Sequence, residues 1–169
     1  YIASGEEEKI VIVCGYDGAK AEYLNSVYEY NITKNKVSTL FPGSKPTDSK
    51  LVLIQNSTTI AISKDGCAAA TDGKNVYFFG GKDTENRMND LWEFSMTDFK
   101  YRQMDKQGDI PPERNGHTME FFEGKLYMFG GIHDITWELD DLHIYSLAVR
   151  DFYVEKEMDN FGARFTKKG

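Results

Sequence analysis

Three histidines and four acids near the end of the chain are the side chains best suited to chemistry. His117, His133 and His143, with Asp134, Glu138, Asp140 and Asp141, carry the nitrogen and oxygen donors that a metal ion takes. The spacing Glu138-x-Asp140-x-x-His143 is loosely iron-like. Strand alternation, however, would split such ligands between two faces, and His117 and His143 fall in different expected strands. No HExxH, CxxC or GxSxG pattern occurs, so the usual frames for zinc and serine chemistry are missing. The reading therefore assigns no catalytic residue, no metal ligand and no cofactor. The same segment offers recognition instead. Trp137 sits among charged residues in Ile132–Asp140, a suitable interface anchor, with packing back onto its own sheet as the alternative. His133, Asp134 and Glu138 flank it, and Lys82, Arg87 and Tyr16 belong to two similar upstream segments. Arg87, Lys82, Asp83 and Glu85 could form a polar rim, and a merely solvated loop fits them equally well.

The elements that position these residues repeat. Gly80-Gly81 and Gly130-Gly131 lie 50 residues apart, as do Lys64, Arg114 and Arg164. Ser26 to Phe41, Asp90 to Asp105 and Asp141 to Lys156 align without gaps. Each opens on an alternating run ending in Tyr30, Phe94 or Tyr145, and each places an apolar residue seven positions later, at Val37, Tyr101 or Phe152. Alternation ended by polar turns predicts strands. Repeat two should have them near Cys67–Thr71, Lys74–Phe79, Asp90–Phe94 and Lys100–Met104. Repeat three should have them near Thr118–Phe122, Lys125–Phe129, Asp141–Tyr145 and Phe152–Glu155. Thr71-Asp72-Gly73 and Glu123-Gly124 predict tight turns, and the double glycines a sharp backbone bend or a close approach. Repeat one carries Cys14-Gly15 in place of the double glycine, and its first strand falls near Tyr1–Ser4. Between Pro42 and Asp65 extra length holds Leu51–Ile54 and Thr59–Ile62, an expected additional hairpin.

Composition narrows the class. A chain of 169 residues, 14% aromatic, can build a sizeable core and leans toward β structure. Its net charge of −7 argues against nucleic-acid and anionic-membrane surfaces, and no apolar run approaches the length of a membrane helix. Cys14 and Cys67 border strand-like runs and read as buried free thiols, which favours a reducing, cytoplasmic setting. Two glycosylation triplets, Asn31-Ile32-Thr33 and Asn56-Ser57-Thr58, point the other way but are short enough to arise by chance. The start at Tyr1, with no basic and apolar leader, suggests that upstream residues are missing.

The repeat resembles the kelch motif, through Gly80-Gly81 with Phe94, Gly130-Gly131 with Tyr145, and the approach Pro111-Pro112-Glu113-Arg114-Asn115-Gly116-His117. That resemblance implies an all-β fold, a partial β-propeller of about three four-stranded blades. Blade 1 would span about 1–41, an inserted link 42–65, blade 2 about 66–105, blade 3 about 116–156, and the start of a further blade about 162–169. Gly15, Gly80, Gly81, Gly130, Gly131, Tyr30, Phe94, Tyr145 and Arg114 would be its structural positions. The tryptophan usual in the motif is replaced by Val37, Tyr101 and Phe152, which keep an apolar packing role, and Cys14 replaces a glycine. Three blades cannot close a ring, so the same or another chain should supply the rest. The resemblance also implies a non-catalytic scaffold that binds a partner protein through the longer loops on one face. The alternative is the propeller segment of an enzyme whose catalytic residues lie in missing blades or a fused domain.

Overall fold

A computed structural model describes residues 2–4, 7–43, 53–55, 58–60 and 64–154. Three antiparallel four-stranded sheets follow one another along the chain. The first pairs β1 (Ile2–Ser4), β2 (Glu7–Val13), β5 (Val27–Asn31) and β6 (Lys36–Phe41), with a small hairpin of β3 (Tyr16–Asp17) and β4 (Glu22–Tyr23) in the connection from β2 to β5. The hairpin β7 (Leu53–Gln55) and β8 (Thr58–Ile60) falls between the first and second sheets in the sequence. The second sheet is β9 (Ala68–Thr71), β10 (Asn75–Phe79), β11 (Leu91–Ser95) and β12 (Tyr101–Gln103). The third is β13 (Thr118–Phe122), β14 (Lys125–Asp134), β15 (Trp137–Ser146) and β16 (Asp151–Val154). All three run as simple meanders, so each sheet is one blade. The all-β class and the partial propeller expected from the repeats are borne out. The stretch 162–169, read as the start of another blade, lies outside the described residues.

Apolar side chains on both faces of β10 explain why blade 2 is the middle one. Val76 and Phe78, with Trp92, Phe94 and Tyr101, face blade 1 and meet Cys14, Val27, Val11 and Val13. Tyr77, Phe79 and Leu91 face the other way and meet Met119, Leu126, Met128, Tyr145 and Phe152 of blade 3. The register places Phe94 opposite Tyr101 and Tyr145 opposite Phe152, and all four are buried. These pairs put large aromatic surfaces into each joint, with rings 5.0 and 4.7 Å apart.

The same pair in blade 1 corrects one expectation. Tyr30 lies opposite Val37, but Val37 is 61% exposed and has no packing role in these residues. The reason is directional: this face of blades 2 and 3 packs on the preceding blade, and among the described residues no blade packs on this face of blade 1. Ile10 and Ile12, which pair with Tyr30 and Tyr28, are exposed with it. On the far side Phe129 of blade 3 is likewise uncovered.

Backbone conformation explains the glycine pairs. Gly80 takes φ +64°, and a Cβ there would sit 2.5 Å from the Arg114 carbonyl oxygen of the next linker. Only a residue without a side chain lets the two chains approach so closely. Cys14, at the equivalent place in blade 1, also takes a left-handed φ of 61°, so the substitution keeps the bend.

Candidate partner-binding surface

A repeated stitch holds the three blades side by side. The linker residue Lys64 donates its backbone N–H to Leu24 and accepts from Gly15, both of blade 1. Arg114 does the same with Met88 and Gly81 of blade 2. The next residue of each linker pairs with the following blade, Asp65 with Lys82 and Asn115 with Ile132. Each of the two linkers is thus an extra short strand between the connections that join the second and third strands of neighbouring blades (β2 to β5, β10 to β11 and β14 to β15). These connections are thereby gathered on one face.

Buried ion pairs lock the stitch. Lys64 Nζ lies 2.6 Å from Asp90 Oδ1, and the Trp92 indole N–H donates to the other carboxylate oxygen. Arg114 makes a bidentate pair with Asp141 at 2.6 and 2.7 Å and donates a further bond to the Gly130 carbonyl. Both cationic side chains are fully buried. His143 reaches Asp141 through Nε2 at 2.9 Å and the Asp109 carbonyl through Nδ1 at 3.0 Å. Burial pushes the Asp141 carboxyl upward, but hydrogen bonds from Arg114 and His143 outweigh it and hold it well below the usual carboxylate range. Arg114 is therefore part of the scaffold beneath the surface rather than of the surface itself.

The histidines do not gather. His143 belongs to that ion-pair cluster. His117 is buried, edge-on to Phe79 at 5.7 Å, and neither ring nitrogen has a hydrogen-bond partner among the described residues. Burial, then the charge of Arg114, pushes its pKa down to about 4, so the ring is neutral. His133 is at the edge of the third connection. Among the described residues no three His, Cys, Asp or Glu side chains are placed to hold a metal ion. A cleft of about 360 Å³ beside the inner strands is lined by Val11, Ala69, Ala70, Thr71, Val76, Glu120 and Phe121, with Glu120 as its one ionisable group.

The connections between the second and third strands of the blades are more ordered than the sequence suggests. Ile132–Asp140, expected as a polar loop, is a continuation of β14 and β15, paired out to Asp134 and Trp137 with Ile135-Thr136 as the turn. A hairpin exposed on both faces has no buried side to impose a hydrophobic period, so alternation carries no signal there. In blade 1 the connection forms β3 and β4, and Tyr16 packs on Tyr23 with ring centroids 5.0 Å apart. In blade 2 it closes through a Lys82–Arg87 bridge. Arg87 Nε donates to the Asn115 side chain at 2.7 Å, so this arginine ties blade 2 to the next linker. Lys82 is half-buried, with its backbone paired to Asp65.

Around the third hairpin, the candidate residues do come together. Trp137 is 59% exposed, and its ring lies edge-on to His133 at 4.9 Å. His133 Nδ1 is fixed 2.7 Å from the Glu113 carbonyl. Asp134 caps the turn by accepting from the Ile135 N–H, and Glu138 is exposed. The sequence reading passed over Ile135, which is 89% exposed at the tip. A lone β-branched residue in a turn was the available signal. The tip therefore presents an indole and an aliphatic side chain on a base tied to the scaffold.

A domain model described as the KLHDC2/KLHL20/DRC7 Kelch-repeats domain matches residues 7–156. The chain is 36% identical over 61 residues to Kelch repeat-containing protein 2 of Saccharomyces cerevisiae, covering 33% of the chain and 7% of that protein. It is 28% identical over 79 residues to human Kelch domain-containing protein 2, covering 41% of the chain and 20% of that protein. It is also 27% identical over 118 residues to the flagellar outer-arm dynein alpha chain of Chlamydomonas reinhardtii, 70% of the chain but 2% of that protein. The matches thus span a fifth or less of each of these relatives.

Proposed function

The chain belongs to the kelch-repeat family, whose domains are typically protein-interaction modules, and on that premise we propose that it docks a partner protein on the face carrying the connections between the second and third strands of each blade. The observation that carries this reading is the β14–β15 hairpin, where Trp137 and Ile135 are exposed together on a fixed base. An exposed apolar pair needs a reason, and a rigid aromatic side chain loses little entropy on binding. Tyr16, Lys82 and Arg87 lie on the neighbouring connections and would frame the contact. The protein is a scaffold rather than an enzyme on this reading. We also place it in the cytoplasm, where Cys14 and Cys67 would stay reduced. The uncovered faces at Ile10, Ile12 and Val37, and at Phe129, would be closed by further blades from the same or another chain.

The test is quantitative affinity capture with the full-length protein. Wild type is compared with Trp137→Ala plus Ile135→Asp, and with Glu123→Ala in the β13–β14 turn at the opposite end of the blade. The captured partner is then purified and its Kd measured. Loss of a central tryptophan anchor costs about 2 kcal/mol or more, roughly a 30-fold weaker Kd. The Glu123 variant should bind as wild type does. Equal affinity of all three proteins would remove the hairpin from the interface.

A further inference from the structure

We propose that Cys14 and Cys67 form a reversible disulfide that staples blade 1 to blade 2 on exposure to hydrogen peroxide. The two thiols belong to different blades, and they meet in a thiol–thiol contact at the joint. Their proximity follows from the repeat geometry. At the next joint the same two positions are Gly80 and His117, and a Cβ on Gly80 would lie 3.1 Å from His117 Cε1. The backbone bond from Gly15 N–H to the Lys64 carbonyl, at 2.8 Å, ties the residue after Cys14 to the linker three residues before Cys67. Blade 1 therefore presents its sulfur to the linker of blade 2 by the same fold rule that brings a glycine against a histidine one joint later.

The two thiols are unequal. Cys14 is 6% exposed, whereas Cys67 is only partly buried, so a small oxidant reaches Cys67 first. A hydrogen bond from Cys14, with the Lys64 charge nearby, draws the Cys67 thiol down, while its bond to Cys67 and burial push Cys14 up. Cys67 is thus the attacking sulfur and Cys14 the resolving one. The Cys67 thiolate attacks one peroxide oxygen and breaks the O–O bond, leaving a sulfenic acid and hydroxide, which takes the thiol proton to become water. The Cys14 sulfur then attacks the Cys67 sulfur, breaks its S–O bond and releases a second water that carries the Cys14 proton. Two thiols and one peroxide become one disulfide and two waters.

The experiment treats the full-length protein with equimolar hydrogen peroxide, blocks remaining thiols, and maps non-reduced peptides by mass spectrometry. The expected result is a linked peptide containing Cys14 and Cys67, both lost from alkylation and both recovered by dithiothreitol. Cys14→Ser should instead trap a dimedone adduct on Cys67. Should that variant fail to fold, the linked peptide from wild type decides alone. Peroxide that leaves both thiols alkylatable, or drives Cys67 to the sulfinic acid with no linked peptide, would overturn the proposal.

Discussion

Asp141→Asn removes one charge from the blade 2–blade 3 joint and keeps the shape of the side chain. Its cost follows from what is left behind. Arg114 is fully buried and directs two of its N–H groups at the Asp141 carboxylate. The amide replaces one acceptor oxygen with a donor, so one of those bonds becomes a repulsive contact and the guanidinium charge loses its counter-ion. Breaking a buried pair costs about 3–5 kcal/mol, and Asp141 retains some solvent access, so about 3 kcal/mol is expected. Arg114→Lys should cost less, about 1 to 2 kcal/mol, because Lys64 fills the equivalent position and pairs with Asp90 at 2.6 Å. Denaturant titrations from pH 3 to pH 7 read both effects. The Asp141 pKa is depressed in the folded state, so its contribution is present above the unfolded carboxylate range near pH 4 and fades as pH falls through the folded value. The gap between wild type and Asp141→Asn should therefore be constant from pH 5 to pH 7 and narrow below pH 4. A gap under about 0.5 kcal/mol at pH 7, or one that widens in acid, would show that the ion pair does not hold the joint.

The remaining predictions address single features. His117 is neutral in the fold with its pKa lowered to about 4, so the unfolded chain takes up the proton first as pH falls. Its presence should cost stability progressively from about pH 6.5 down to pH 4, up to about 3 kcal/mol, and His117→Leu should flatten that part of a pH titration by denaturant. Gly80→Ala should lose more than about 2 kcal/mol, because its Cβ would meet the Arg114 carbonyl at 2.5 Å. Gly124→Ala, with φ +75° but open space around it, should lose only about 1 kcal/mol in the same thermal melt. Trp137→Ala should shift the melting midpoint by no more than about 3 °C, since its ring is largely exposed and packs edge-on to His133 across the hairpin rather than in a core.

What the sequence made legible was whatever repeats. A 50-residue period, the glycine pairs and strand alternation led to three meanders, because each of those signals is local and each blade needs the same one. Even the added hairpin followed from two apolar runs, and among the described residues Leu53–Gln55 pairs with Thr58–Ile60. Features that depend on a neighbouring blade were harder to see. Val37 has the spacing of Tyr101 and Phe152 and yet lies open, because no blade among the described residues covers it. Lys64 and Arg114 recur at the right interval, but only the fold shows that both are fully buried against Asp90 and Asp141.

The candidate surface was half legible for the same reason. Trp137, His133 and Asp134 could be picked out by type, but the long pairing of β14 with β15 leaves no periodic trace, since neither face is buried. The stitch also changes the role of two residues read as a binding rim. Arg87 bonds to Asn115, and Lys82 bonds through its backbone to Asp65, so both help hold the linkers to the connections. Adhesion between blades and presentation of the surface thus use the same segments. A change that loosens a joint should also disturb the face that carries Trp137, as the register from Asn115 to Ile132 requires. Asp141→Asn tests this coupling directly. Its Arg114 partner donates to the Gly130 carbonyl at the root of the hairpin, two residues before Ile132. If the surface is held through that bond, the variant should weaken partner binding at pH 7 while Trp137 itself remains intact. Unchanged affinity in a destabilised Asp141→Asn protein would mean that the hairpin holds its shape independently of the joint beneath it.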